Sequence, residues 1–310
     1  MVVKVENLLK KYKNVTAVNN LSLEIKEGEI FGILGPNGSG KTTTINCILS
    51  LLKYESGNIE LFGEKMKPEA YEIKRKIGAV MQEVAVFDEL TVYENIDYFC
   101  GLYIKNINEK KDLVEEAMEF VKIKDYRKRY PKELSGGLLR RLNIACGISH
   151  KPKLIIFDEP TVGVDPQSRN YILEGIQKLN SSGATIIYTS HYMEEVEQIC
   201  TRIGIVDKGS IIALGSKEEL KNKLEFNKRL IIENSKVSEE EIAEIQKIPF
   251  VISAKYDNGK IFISLSKSDI NVLTILEYLK DRNIEFGSIQ SEVPTLNDVF
   301  LKFTGKKLRD

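Results

Sequence analysis

The residues with the clearest chemistry form a glycine-rich run at positions 35–43, with the sequence GPNGSGKTT. Glycines let the backbone curl so that successive N–H groups face an anion, and a following helix adds its positive N-terminal end. In this pattern the Lys41 ammonium reaches the β- and γ-phosphates of a nucleotide, and the Thr42 hydroxyl is a ligand of Mg²⁺. The predicted phosphate site, called the phosphate loop, consists of Gly35, Pro36, Asn37, Gly38, Ser39, Gly40, Lys41, Thr42 and Thr43.

A second run, LIIFDEP at positions 154–160, places four apolar residues before two adjacent carboxylates. Such an apolar run indicates a buried strand, and open parallel sheets bind ligands beyond the carboxyl ends of their strands. Asp158 is then placed to hold Mg²⁺, directly or through water, and Glu159 to polarise an attacking water molecule. These two carboxylates are called the acid pair. We assign these functions to the acid pair because the phosphate loop lies upstream.

Between these two runs lies LSGG at positions 134–137, called the glycine segment. Its backbone N–H groups precede a helical pattern, so Ser135, Gly136 and Gly137 form a second candidate phosphate site. One nucleotide has no obvious need of two such segments within a single chain. If Ser135 only caps its own helix, a monomer is sufficient for activity.

An α/β domain is predicted to position these segments. The phosphate loop follows apolar residues 30–34 and precedes a helical pattern over residues 42–52, which is the strand, loop and helix order that the motif requires. Alternation and turn chemistry predict further structure: strands at 21–25, 77–81, 154–157 and 185–189, a hairpin at 202–213, and a mostly helical stretch at about 91–126. The N-terminal part is therefore an α/β nucleotide domain with a helical insertion.

The pattern changes near residues 215–228, and a smaller domain follows. It reads as strands at 229–233, 250–256, 260–265 and 285–290, helices at 238–247 and 268–282, and an Asp-Asn-Gly turn at 257–259. The order βαββαβ predicts an α+β ferredoxin-like sandwich. We place the domains at 1–222 and 223–310, with the helical insertion at about 84–145.

Composition excludes several classes of protein. The 310 residues are 42% hydrophobic and 29% charged, with 45 basic and 45 acidic residues, so net charge does not argue for nucleic acid. No apolar run approaches the roughly 20 residues that cross a bilayer, and the N-terminal residues do not form a signal peptide. We expect any membrane contact to come through a partner. The four scattered cysteines are expected to be free thiols.

Together, the ordered motifs at residues 1 to about 222 resemble those of the nucleotide-binding subunit of an ATP-binding cassette (ABC) transporter. The resemblance implies a P-loop NTPase fold with a RecA-like core, a β-rich subdomain and a helical insertion. It implies that Tyr12 stacks on adenine, that Gln82 contacts Mg²⁺ and the attacking water, and that His191 contacts the γ-phosphate. ATP and Mg²⁺ are the implied cofactors, with Glu159, His191 and Gln82 catalytic, and Thr42, Gln82 and Asp158 around the metal.

In the family that this chain resembles, the glycine segment binds the γ-phosphate of ATP held by the other subunit. The resemblance therefore implies a second copy of this chain in a head-to-tail dimer with two composite sites. Asp165 resembles the aspartate of the loop that crosses this interface and couples the sites. Dimerisation is then part of catalysis.

Residues after the glycine segment narrow the resemblance. Leu138 stands where many family members have glutamine, and the pair Arg140-Arg141 follows. Together with EPTVGVDPQSR at 159–169, this resembles the daunorubicin-resistance branch of drug-export ATPases. The C-terminal run PTLNDVFLKFTGK at 294–306 resembles the closing helix of such relatives. Its apolar positions either cover a dimer partner or pack on the chain's own sheet: Leu296, Val299, Phe300 and Phe303.

The resulting hypothesis is an energy-coupling ATPase at the cytoplasmic face of the cell membrane. It would drive export of a hydrophobic compound, lipid, antibiotic or peptide through a separate integral membrane permease, contacted through the region after Gln82. A soluble cassette ATPase acting on ribosomes, DNA or cofactor assembly is one alternative, and a nucleotide-sensing immunity or regulatory module is another. The cargo is left open, because the permease usually chooses it.

Overall fold

The computed structural model describes residues 1–224, 228–233, 237–266 and 272–305. They form two compact units, Met1–Ser216 and Lys217–Lys307. The division falls before residue 222, the expected end of the first domain. Its physical reason is that the helix Lys217–Asn222 packs against the helix Leu296–Thr304 of the second unit. No described helix is long and apolar enough to cross a membrane.

The first unit alternates strands and helices along most of its length. Its strands are β1 (Val3–Tyr12), β2 (Val15–Ile25), β3 (Ile30–Leu34), β4 (Ser56–Leu61), β5 (Glu64–Lys65), β6 (Ile77–Val80), β7 (Leu154–Asp158), β8 (Thr185–Ser190), β9 (Arg202–Asp207) and β10 (Ser210–Ser216). Its helices are α1 (Lys41–Ile48), α2 (Tyr71–Lys74), α3 (Val92–Gly101), α4 (Ile107–Phe120), α5 (Gly136–Ile148), α6 (Pro166–Ser181) and α7 (Met193–Ile199). Two short 3₁₀ helices, Lys124–Tyr126 and Pro131–Glu133, precede α5.

A six-stranded sheet with the order β10-β9-β3-β8-β7-β6 forms the centre of this unit. All neighbours are parallel except the edge pair β10 and β9. Every residue of β3, β7 and β8 is buried, as expected for parallel strands covered on both faces. In register, Leu34 lies opposite Ser190 and Asp158 opposite Thr189. The phosphate loop, the acid pair and His191 therefore all lie at the carboxyl ends of the parallel strands.

A β-rich subdomain and a helical insertion flank this core. The first is the antiparallel sheet β2-β1-β4-β5, whose apolar residues share one cluster with α1 and the central sheet. The second comprises α3, α4 and the start of α5, between β6 and β7. Helix α3 begins at a capping box formed by Thr91 and Glu94, which satisfies otherwise unpaired N–H groups at that end. The predicted fold class of the first domain is confirmed.

The second unit is a ferredoxin-like sandwich, as predicted. Its elements are α8 (Lys217–Asn222), β11 (Lys228–Ile232), α9 (Glu239–Ile245), β12 (Val251–Asp257), β13 (Lys260–Leu265), α10 (Val272–Asp281), β14 (Ile289–Glu292) and α11 (Leu296–Thr304). The antiparallel sheet has the order β12-β13-β11-β14. Asn258 and Gly259 form the predicted turn with φ of 50° and 79°, the left-handed values of a type I′ hairpin.

One detail differs from the expectation for this unit, and a second bears on an alternative that the sequence left open. The last strand begins at Ile289 rather than near residue 285, because Gly287 and Ser288 first make irregular backbone hydrogen bonds with Glu233. In α11, Leu296, Val299 and Phe300 are buried within the chain, whereas Phe303 is 42% exposed. Three of the four apolar positions thus pack internally. Residues 268–271 of the predicted helix, and Lys306, lie outside the described residues.

Candidate functional site

The phosphate loop has a backbone that only glycine permits at two of its positions. Gly40 has φ of 103°, and a Cβ atom there would lie 2.3 Å from the Ala17 carbonyl oxygen. A Cβ at Gly35 would lie 2.3 Å from the Val206 carbonyl oxygen. The loop is therefore folded tightly against neighbouring backbone. Its end at α1 leaves the first helical N–H groups free of intrahelical partners, which suits an anion.

Lys41 is the buried cation of this loop, with only 4% of its surface exposed. Its Nζ donates to the carbonyl oxygens of Gly35 at 2.8 Å and Pro36 at 3.2 Å. It also forms an ion pair with Glu159 Oε1 at 3.0 Å. The positive charge is thus held beside the loop and the acid pair, where it can meet a phosphate.

Glu159 joins the lysine to the histidine. Its Oε2 lies 3.0 Å from His191 Nδ1, and its backbone N–H is 3.0 Å from Thr189 Oγ1. Glu159 adopts φ of 48°, a left-handed conformation that costs a non-glycine residue about 1–3 kcal/mol. Such strain is concentrated at functional sites. Lys41, Glu159 and His191 form one continuous chain of contacts.

Asp158 is fully buried and has one oxygen without a hydrogen bond. Oδ1 accepts from Thr189 Oγ1 at 2.5 Å, whereas no described residue donates to Oδ2. Burial is the largest effect on the pKa of Asp158 and raises it, while the Thr189 and Thr42 hydroxyls act in the opposite direction. An unpaired buried carboxylate oxygen next to a threonine hydroxyl fits a divalent cation.

The described residues contain no cluster of three or more His, Cys, Asp or Glu side chains able to hold a metal by themselves. Mg²⁺ bound with nucleotide takes one or two protein oxygens plus phosphate oxygens and water. The donor set around Asp158 and Thr42 therefore fits Mg²⁺.

Gln82 follows β6, and its position is set through its backbone. Arg140, on α5, donates to the Met81 carbonyl at 3.0 Å and to the Gln82 carbonyl at 2.7 Å. The Gln82 side chain is exposed and makes no hydrogen bond with Asp158 or Glu159 among the described contacts. Arg140 was significant in the sequence only as a marker of the branch. Arg140 lies on the buried side of α5, and this burial indicates a structural role.

The glycine segment lies at the N-terminus of α5. The Ser135 hydroxyl accepts from Leu138 N at 3.4 Å, a weak cap, and Ser135 and Gly136 are exposed. Gly137 is buried, because a Cβ there would lie 2.7 Å from Ser168 Oγ and 3.2 Å from Asp165 Oδ2. The glycine segment therefore packs directly on the start of α6.

Asp165 is the N-cap of α6. Its Oδ1 accepts from Ser168 N at 2.9 Å, and this hydrogen bond is the largest of the effects that lower the pKa of Asp165. Arg141 Nη2 lies 3.4 Å from Ser168 Oγ. The structure thus brings Asp165 next to the glycine segment on one exposed surface, a proximity that the sequence alone did not indicate.

Tyr12 lies at the end of β1, where it faces Val15 across the β1–β2 hairpin. It is 45% exposed, and Lys10 Nζ lies 5.1 Å from its ring centre. The same β2 strand supplies the Ala17 carbonyl that contacts Gly40. An exposed aromatic face in the sheet that flanks the phosphate loop can stack on a nucleotide base.

Comparisons with known proteins agree with this geometry. Residues 18–162 match the ABC transporter family, and residues 215–304 match the C-terminal domain of DrrA1-3-like ATP-binding proteins. The linearmycin resistance ATP-binding protein of Bacillus subtilis is 41% identical, over 98% of this chain and 99% of that protein. A daunorubicin resistance ATP-binding protein of Streptomyces coeruleorubidus is 30% identical, over 98% and 96%. A Nod factor export ATP-binding protein of Cupriavidus metallidurans is 31% identical, over 100% and 99%.

Solved structures give the same result for the first unit. A dimeric bacterial ABC transporter cassette is 28% identical and superposes with a TM-score of 0.64, covering 69% of this chain and 98% of that one. A dimeric post-hydrolysis cassette bound to ADP and phosphate has the same values. The predicted family, fold class and ATPase activity are confirmed. This chain belongs to the ABC transporter family, as an ATP-hydrolysing ATP-binding subunit of the daunorubicin-resistance type.

Proposed function

We propose that this subunit hydrolyses ATP at two composite sites of a head-to-tail dimer and thereby drives export through a separate membrane permease. The observation that carries the chemistry is the chain of contacts from Lys41 through Glu159 to His191, beside the unpaired oxygen of Asp158. The full-length similarity to drug-resistance and export subunits supports a hydrophobic compound, lipid, antibiotic or peptide as cargo.

The residues of the site divide the chemistry among them. A triphosphate offers Lys41 several anionic oxygens, which releases Glu159 Oε1 to accept a hydrogen bond from the attacking water. His191, held by Glu159, contacts the γ-phosphate, and Tyr12 stacks on the adenine. Thr42 and Asp158, with Gln82, hold Mg²⁺, which neutralises phosphate charge when bound.

Exposure of the glycine segment supports the composite site. Ser135 and Gly136 present a hydroxyl and helix N-terminal N–H groups to solvent, and Asp165 lies on the same surface. Such a helix end attracts anions, and a two-fold symmetric dimer presents each end to the other chain. A solved relative of this chain forms a dimer.

Mixing two inactive variants tests this proposal. Lys41→Ala removes the phosphate loop's cation, and Ser135→Arg blocks the glycine segment; each chain alone is expected to be inactive. If the sites are composite, mixing restores roughly a quarter of the wild-type rate, because half of the randomly paired dimers are mixed and each has one intact site. If both segments act within one chain, mixing restores nothing, and the proposal is wrong.

Permease contact is proposed at the groove next to Gln82. This groove has a volume of about 310 Å³ and is lined by residues of α2, β6, α3 and α5 and by residues that directly follow α1, β6 and α3, including Met81, Phe99 and Leu102. Leu51 and Leu102 are 61% and 58% exposed, so the groove offers an apolar surface to a short helix. Membrane contact at the cytoplasmic face then comes only through the permease.

Introducing a negative charge into the groove tests the contact. Leu51→Glu and Leu102→Glu are expected to release the subunit from membranes that contain its permease, while hydrolysis by the isolated subunit persists. Ile107→Glu, at a 77% exposed position outside the groove, is the matched control and is expected to remain bound. Recovery of the wild-type chain in a complex without any membrane subunit would favour a non-transport cassette ATPase instead.

A further inference from the structure

A buried carboxylate lies directly behind His191 and belongs to none of the motifs. Glu195, in the first turn of α7, is 2% exposed. Its Oε2 accepts from the Tyr188 hydroxyl at 2.7 Å and from the Ser190 hydroxyl at 2.8 Å. Two donors on β8 therefore converge on one carboxylate oxygen. Burial of such a charge is expensive unless it is paired and hydrogen-bonded.

The contacts of Glu195 hold the backbone on both sides of His191. The Ser190 hydroxyl, which donates to Glu195, also accepts from Tyr192 N at 2.9 Å. The residues before and after His191 are thus held by one hydroxyl, and that hydroxyl is held by Glu195. The conformation of this turn determines where the imidazole points. In the structure it points to Glu159, with Nδ1 at 3.0 Å from Oε2.

The second oxygen of Glu195 connects to the helix that Asp165 caps. Arg169 Nε lies 3.4 Å from Glu195 Oε1 in an ion pair that lacks hydrogen-bond geometry, and Arg169 N donates to the Asp165 carbonyl at 2.9 Å. The guanidinium also lies over the Tyr192 ring at 4.8 Å, and that ring lies 4.1 Å from the His191 ring. Arg169 is therefore linked to His191 by two routes, one through Glu195 and one through Tyr192.

We propose that Glu195 is a positioning residue for ATP hydrolysis, which orients His191 toward Glu159 and, with Arg169, links that orientation to the Asp165 loop. A displacement of the Asp165 loop moves the first turn of α6 and with it the Arg169 guanidinium. Glu195 transmits this displacement to the Ser190–Tyr192 turn. The inference rests on the proposed functions of His191 and Asp165.

Two neighbouring glutamates provide the first test. Glu195→Gln keeps the shape but removes the charge that faces Arg169 and strengthens the two hydroxyl hydrogen bonds, whereas Glu194→Gln changes an exposed residue of the same turn. We expect kcat for ATP hydrolysis to fall roughly 10–100-fold in Glu195→Gln, as for a small misplacement of a reacting group, with KM for ATP within about twofold of wild type. Glu194→Gln is expected to match wild type.

Two hydroxyl deletions provide a second test that leaves the buried charge pair in place. Ser190→Ala and Tyr188→Phe each remove one donor from Glu195 Oε2, but only Ser190 also holds the Tyr192 N–H. Positioning predicts that kcat falls clearly more in Ser190→Ala. Equal losses of kcat, or losses that follow Tm in both variants, would mean that Glu195 only stabilises the fold.

The His191→Ala background distinguishes the inference from the proposed function. If Glu195 acts through His191, Glu195→Gln lowers kcat in the wild-type background and has no further effect on single-turnover hydrolysis in His191→Ala. An equal fold-loss in both backgrounds overturns the inference alone. Wild-type activity of His191→Ala itself would overturn the proposed catalytic role of His191, and the inference with it.

Discussion

The phosphate loop and the glycine segment use the same element, a helix N-terminus with glycine at the N-cap or in the first turn, but they differ in what surrounds it. Around the phosphate loop, Lys41, Asp158 and Glu159 are at most 5% exposed, and each contacts other residues of the chain. At the glycine segment, Ser135 and Gly136 are exposed. One candidate phosphate site is thus enclosed by its own chain, while the other faces outward, as the proposed composite site requires.

Because the two sites differ in burial, mutations in them are expected to have different effects. A charge in the enclosed site is buried, so removing one partner leaves the other uncompensated and affects stability as well as activity. A change at the exposed Ser135 or Gly136 leaves the core intact and is expected to affect mainly what binds there. The following experiments use this contrast.

The largest effect is expected in the enclosed site. Glu159→Gln removes the carboxylate proposed to activate water, so kcat is expected to fall by about 10²–10⁴-fold, while ATP binding persists and the dimer accumulates. Phosphate release and size-exclusion chromatography with ATP measure the two results. Glu174→Gln, at an exposed position of α6, is the control. Unchanged hydrolysis in Glu159→Gln contradicts the assigned role.

A pair of glycine variants sharpens the contrast at the exposed segment. Gly137→Ala forces a Cβ against Ser168 and Asp165, and we expect a roughly tenfold loss of kcat from the displaced helix start. Gly136→Ala meets only the Gly163 carbonyl at 4.0 Å, so its loss should be smaller. Binding of a fluorescent ATP analogue to the monomer should be equal in both. Weaker binding by Gly137→Ala would mean that the segment also supports its own chain's phosphate loop.

Arg140 connects α5 to the backbone that follows β6 and is expected to have an intermediate effect. Arg140→Ala leaves the Met81 and Gln82 carbonyls without their donor, which destabilises by about 1–3 kcal/mol. Arg140→Lys should recover only part of this, because an ammonium lacks the two-pronged geometry of guanidinium. Urea unfolding measures the change, with the exposed Lys132→Ala as control. Equal stability of all three variants would show that the Arg140 contacts contribute little.

The smallest effect concerns pH. Burial raises the pKa of Asp158 in the nucleotide-free protein, so this group favours the folded state as pH falls through its titration range. Mg²⁺ requires the ionised form, so protons and metal compete. A tenfold rise in Mg²⁺ is expected to move the acid limb of the hydrolysis profile to lower pH, by up to about one unit. A limb independent of Mg²⁺ argues against Asp158 as a metal ligand.

The local sequence pattern was sufficient to predict much of the secondary structure of this molecule. The phosphate loop lies between a strand and a helix because glycine spacing and an apolar run are local properties, and residues 260–265 form the predicted strand. The order βαββαβ followed from alternation and one Asn-Gly turn in the same way. The start of the last strand was misplaced, because backbone hydrogen bonds of Gly287 and Ser288 with the distant Glu233 determine the chain path there.

By itself, the sequence determined which groups are present and in what order: a phosphate loop, a glycine segment, an acid pair and a histidine at strand ends. Only the tertiary structure decided that Glu159 lies between Lys41 and His191, that Arg140 holds the backbone of Gln82, and that Glu195 lies behind His191. These contacts depend on the register of parallel strands far apart in the chain and on buried polar side chains. Neither leaves a periodic pattern in the sequence, because each is satisfied by a partner that only folding brings near.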